Sequence, residues 1–75
     1  MNKQRRWKGE ASIGKRAYEE ILRIFPKMKD AKIAIGCRDN NIYQWGEGVC
    51  PSAKYLARLY YVGADVVYIL TGKKG

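Results

Sequence analysis

The chain is 75 residues long, room for one domain but not for two, since compact domains mostly run from about 50 to 200 residues. With 47% hydrophobic and 29% charged residues it is a globular mixture and not a disordered tail, and no apolar run approaches the roughly 20 residues of a membrane span. Fifteen Lys and Arg against seven Asp and Glu leave a net charge of +8, which points to a polyanionic partner, nucleic acid first and anionic membrane second.

Residues 1–11 read as a basic arm, with Lys3, Arg5, Arg6 and Lys8 around Trp7 and no apolar period. No apolar secretion segment follows, so the chain is expected to work in the cytoplasm. The charge excess is lopsided: residues 1–38 hold eleven basic and four acidic side chains, residues 39–75 four and three. From Ser12, a suitable N-cap, Ile13, Ala17, Ile21, Ile24 and Phe25 recur at helical spacing and predict a first helix that Pro26 stops. On its other side Glu19 and Arg23 make a favourable i,i+4 pair.

A short second helix is expected from Met28 to Ile35, with Met28, Ala31 and Ile35 on one face and Gly36 supplying the left-handed conformation that closes it. The third, over about residues 38–46, carries only two apolar anchors, Ile42 and Trp45, three positions apart. At that spacing Trp45 is core rather than a stacking platform. Gly46 and Gly48 are read as the breakers of this helix. Pro51, at a first-turn position, opens a fourth helix through about Val62, with Ala53, Leu56, Ala57, Leu59 and Tyr60 as its inner stripe, and Gly63 ends it. Asp65 caps a short apolar fifth helix, Val66-Val67-Tyr68-Ile69-Leu70, closed by Gly72. Residues 73–75 are a tail or the start of a linker. Five helices without a convincing strand make the class all-α, one domain over residues 12–72.

The chemical inventory is thin. Without His, and with only Cys37 and Cys50, the chain has no zinc-spaced ligand set and no Cys–His nucleophile. Its carboxylates are scattered and each has a helical or capping use, so no general acid–base pair stands out. Gly46-Glu47-Gly48 lacks the Lys-Ser/Thr of a phosphate-cradling loop. No enzyme, metal, cofactor or small-molecule substrate is expected.

Two short helices meeting at a glycine, the second polar on its outer side, form the outline of a helix-turn-helix. Such a motif needs small or apolar residues before the turn, a glycine in it, and two buried anchors under the outer helix. Ala31, Ile35, Gly36, Cys37, Ile42 and Trp45 meet these demands in order. On this run, and on Tyr55-Leu56-Ala57-Arg58-Leu59 followed by the stretch from Gly63 to Gly72, the chain resembles the lambda-repressor-like helix-turn-helix family, close to the DNA-binding domains of phage-type repressors. The resemblance covers roughly residues 12–72, with one departure: Lys32 stands four residues before the turn glycine, where the family usually has alanine.

The resemblance implies a compact five-helix domain that binds double-stranded operator DNA and represses transcription. It places the base-reading positions near Arg38, Asp39, Asn40, Tyr43 and Gln44; Arg suits guanine O6/N7, Asn and Gln suit adenine N6/N7, and Asp39 either caps its helix or accepts from a cytosine amino group. Phosphate contacts would come from Lys27, Lys29, Lys32 and Lys54, with Lys3, Arg5, Arg6 and Lys8 as an arm along a groove. A palindromic operator implies a homodimer, for which Val67 and Tyr68, joined by Tyr61, offer a surface, or which a further C-terminal domain would provide. The alternative is a protein-interaction module of antitoxin or antirepressor type that uses the apolar C-terminal helices.

Overall fold

The computed structural model describes residues 10–74. Among these, the chain forms five helices and no strand: α1 (Glu10–Ile24), α2 (Met28–Ile35), α3 (Asp39–Gly46), α4 (Ala53–Tyr61) and α5 (Val66–Thr71). The chain is therefore all-α, as expected. The arm cations Lys3, Arg5, Arg6 and Lys8 lie outside the described residues.

The apolar stripe of α1 is the centre of the molecule. Ile13, Ala17 and Ile21 are buried on one side of it and meet Ile42 and Trp45 of α3 and Ile69 of α5 in a single core. Ala31 and Ile35 from α2, Leu59 from α4 and Ala64 from the turn that follows it complete that core. Gly14 lets α1 and the end of α3 approach closely: a Cβ there would stand 2.3 Å from the Val49 carbonyl oxygen and 2.7 Å from that of Trp45. No residue but glycine fits that contact.

Several local expectations are corrected. Helix α1 begins at Glu10 and takes in Ser12, which is a first-turn residue and not the N-cap; a serine there is tolerated because Ile13, Ala17 and Ile21 hold the helix by packing. Arg23 pairs not with Glu19 but with Glu20, its Nε and an Nη donating to the two carboxylate oxygens at 3.0 and 2.8 Å. Both spacings are within helical reach, and Glu20 wins because it is only 2% exposed and also accepts the Asp65 backbone N–H at 2.8 Å. Arg23 reaches on to the Gly63 carbonyl at 3.3 Å. Helix α1 is thereby clamped to the turn between α4 and α5.

Helix α4 starts at Ala53 with Ser52 in the N-cap position, so Pro51 lies before the helix, buried, rather than in its first turn. Its inner side is Leu59 with half-buried Tyr55 and Leu56, while Ala53, Ala57 and Tyr60 face out. The stripe is rotated because the Tyr55 ring packs on Trp45, centroids 5.4 Å apart. Gly46 is the last residue of α3 and not a breaker; the Tyr18 ring covers its bare face, 3.1 Å from where a Cβ would stand. The reversal falls to Gly48, at φ +108°. Asp65 caps α5 as expected, accepting the Tyr68 N–H at 3.0 Å. In α5 Ile69 is buried and Val66 half-buried, whereas Val67 and Leu70 are exposed.

Candidate nucleic-acid interface

The junction of α2 and α3 is built from a few residues. Ala31 and Ile35 bury the inner side of α2, and Gly36 ends the helix in the left-handed region at φ +73°, which glycine enters without steric cost. The Gly36 and Cys37 amides both donate back to the Lys32 carbonyl, at 2.8 and 3.2 Å. Arg58 of α4 then locks the elbow from outside, one Nη donating to the Ile35 and Gly36 carbonyls at 3.2 Å each. Its guanidinium lies 5.4 Å from the Tyr55 ring centroid, within cation–π range. Arg58 was not among the expected site residues; it meets the elbow from more than twenty positions away, and helical periodicity carries no signal over that separation.

Ile42 and Trp45 are buried beneath α3 as the spacing predicted, and full burial of each contributes on the order of 1.5–3 kcal/mol. At about 100° per residue, Asn40, Tyr43, Gln44 and Glu47 fall on the opposite side, and all four are exposed. Arg38, in the N-cap position, and Asp39 are exposed at the start of the same helix. Tyr43 is 49% exposed, its ring braced by Tyr18 at 6.3 Å between centroids. The outer surface of α3 thus offers amide donors and acceptors, a phenol, a guanidinium and carboxylates. Glu47 was not among the expected site residues, although its place seven residues after Asn40 puts it on the same stripe.

Further cations lie on α2 and α4 or in their N-cap positions. Lys27, Lys29 and Lys54 are exposed; Lys54 lies over the Tyr55 ring, 4.9 Å from its centroid. Helices α2, α3 and α4 each begin without a side-chain capping hydrogen bond, so their N-terminal amides and dipole ends suit an anion. Lys32 is different. Its Nζ is 3.0 Å from Asp39 Oδ1, an ion pair across the elbow with side chains 33% and 54% exposed. Lys32 beside it holds the Asp39 carboxyl below the usual aspartate range. Asp39 is the first residue of α3 rather than its N-cap, and after Lys32 a backbone hydrogen bond at its own amide also lowers its pKa.

Cys37, next to the elbow, is half-buried, and burial pushes its thiol pKa up, the opposite of a reactive cysteine. Among the described residues no group of three or more His, Cys, Asp or Glu could hold a metal ion, and no pocket opens. No helix of the described residues is long and apolar enough to cross a membrane.

On α4 and α5, Tyr61 is 86% and Val67 57% exposed. Tyr68, expected to share a surface with them, is taken up within the chain: its hydroxyl donates to Glu19, and its ring lies near Arg16 and Lys74, 6.0 and 4.1 Å from the centroid. Arg16 meanwhile donates to the Ile69 carbonyl at 2.9 Å and ties down the end of α5. Comparison with protein-family models, with curated proteins and with solved structures finds no match to this chain.

Proposed function

We propose that the chain is a sequence-specific double-stranded DNA-binding transcriptional regulator of the lambda-repressor-like helix-turn-helix kind, a phage-type repressor that occupies a palindromic operator as a homodimer. One observation carries this reading: Ile42 and Trp45 are buried while Asn40, Tyr43 and Gln44 stand exposed on the other side of the same short helix. A helix held from beneath with a polar outer face fits the major groove, which admits an α-helix and presents a distinct donor–acceptor pattern for each base pair. In this reading α3 is the recognition helix, Asn40 and Gln44 address adenine, Arg38 addresses guanine, and Lys27, Lys29 and Lys54 set the register on phosphates. The arm cations Lys3, Arg5, Arg6 and Lys8 add groove or phosphate contacts. Tyr61 and Val67 supply the dimer contact, Tyr68 being engaged by Glu19.

Selection of bound sites from random duplexes tests the reading, and an inverted repeat is the expected product. Gln44→Ala then lowers affinity for the selected site by about 1–3 kcal/mol while sparing random duplex. Lys29→Ala weakens both alike and reduces the slope of log K against log salt by about 0.9. Equal effects of the two variants on both duplexes would reject the assignment of roles.

A second reading, a protein-interaction module of antitoxin or antirepressor type, draws on the exposed Tyr60, Tyr61, Val67 and Leu70 of α4 and α5. A purified chain that ignores every duplex but forms a stable heterocomplex would favour it.

A further inference from the structure

The lysines of the α2 and α4 segments are not equivalent. Lys27, Lys29 and Lys54 have no carboxylate partner in the ion pairs formed by the described residues, whereas Lys32 is committed to Asp39. Asp39 is exposed and Lys32 half-exposed, and the pair spans the elbow, so neither group is buried structural material. It also stands at the start of α3, where the uncapped amides and the helix dipole attract an anion; the chain's own carboxylate occupies that place. At the other end of the helix Glu47 adds a second exposed carboxylate. Between Asp39 and Gly46 there is no cation at all. A carboxylate beside a phosphate backbone is repelled, and its natural partner in the major groove is an exocyclic amino group, cytosine N4 foremost.

The geometry points to Asp39 as a specificity-determining residue that restrains Lys32: on random duplex it withholds the ammonium from phosphate, and on the right site a base amino group takes the carboxylate and releases Lys32 to the backbone. This rests on the DNA-binding reading above. The ion pair acts as a gate that costs non-specific binding more than specific binding. Its exposure makes it easy to open, because water competes for both charges and leaves a surface pair little net stability.

The test is a salt titration of binding to a random duplex and to a duplex recovered by selection, using the wild-type chain, Asp39→Asn, Lys32→Gln and the double variant. Asp39→Asn is expected to tighten random-duplex binding several-fold and to steepen the salt slope by about 0.9, the signature of one more neutralised phosphate. Lys32→Gln alone leaves random-duplex binding nearly unchanged, and the double variant returns to the wild-type slope. On selected duplexes Asp39→Asn loses a preference of about tenfold for an amino-bearing base at one position. A tightening by Asp39→Asn that persists in the Lys32→Gln background would overturn the gate, since simple repulsion would then suffice; so would an unchanged slope. A wild-type chain that binds no duplex removes the DNA-binding reading and the gate together, whereas binding that is indifferent to Asp39 removes the gate alone.

Discussion

Gly14 shows how a single hydrogen atom in place of a side chain sets the position of the candidate reading helix. In a helix interior glycine normally costs about 1 kcal/mol relative to alanine, so on propensity alone Gly14→Ala should stabilise the protein. The Val49 and Trp45 carbonyl oxygens, which would lie 2.3 and 2.7 Å from the new Cβ, are backbone and have no rotamer to retreat into. We therefore expect Gly14→Ala to lose about 2–3 kcal/mol in urea denaturation, with the end of α3 displaced from α1. Nothing in the sequence flags this glycine, because a close approach between two helices is a property of the folded pair. Trp45 and Ile42 were legible for the opposite reason: they are the only apolar anchors in a polar segment, and their spacing admits one inner face. The choice of Glu20 over Glu19 by Arg23 was not legible, since both lie within reach along α1 and burial against the Asp65 turn decides between them.

At the scale of the helices, α2 and α3 were predicted to within one residue, from Gly36 and from the periodicity on either side. The inner stripe of α4 was misjudged, because the Tyr55–Trp45 ring contact turns Tyr60 outward. That rotation also aims Arg58 at the end of α2. Replacing it by Met keeps much of the aliphatic stem but removes both bonds to the Ile35 and Gly36 carbonyls. Arg58→Met should cost about 1 kcal/mol and speed hydrogen exchange at the Gly36 and Cys37 amides, which donate to Lys32 just inside the elbow. Amide exchange followed residue by residue checks this; unchanged protection there would mean that packing alone fixes the elbow. The Lys32–Asp39 pair was equally hidden, because it crosses a turn where helical spacing no longer says which side chains meet.

For the molecule as a whole, pH acts through carboxylates that hold elements together. Glu20 is kept below the usual glutamate range first by its hydrogen bonds from Arg23, against the opposing effect of burial. Because the folded state favours the charged form, its contribution is complete above the ordinary glutamate pKa and is lost as pH falls through the lower folded value. Asp39 follows the same sign, but as a surface pair with Lys32 it adds little to the total. Thermal melts are expected to fall steeply below about pH 4, and Glu20→Gln should lower the melting temperature at neutral pH while flattening its acid limb. A Gln variant with the wild-type acid limb would place the acid sensitivity elsewhere.

Because α4 contributes the guanidinium that fixes the α2–α3 elbow, and α1 the glycine against which α3 ends, the two-helix segment is not a portable unit. A synthetic peptide of residues 28–46, or its graft onto a foreign scaffold, would carry most of the side chains that the proposed reading gives to the groove and yet lack the contacts from Arg58 and Gly14 that hold its helices in place. Under the DNA-binding reading proposed above, redesign of the outer face of α3 therefore has freedom at the exposed Asn40, Tyr43 and Gln44, and little at Gly14 or Arg58.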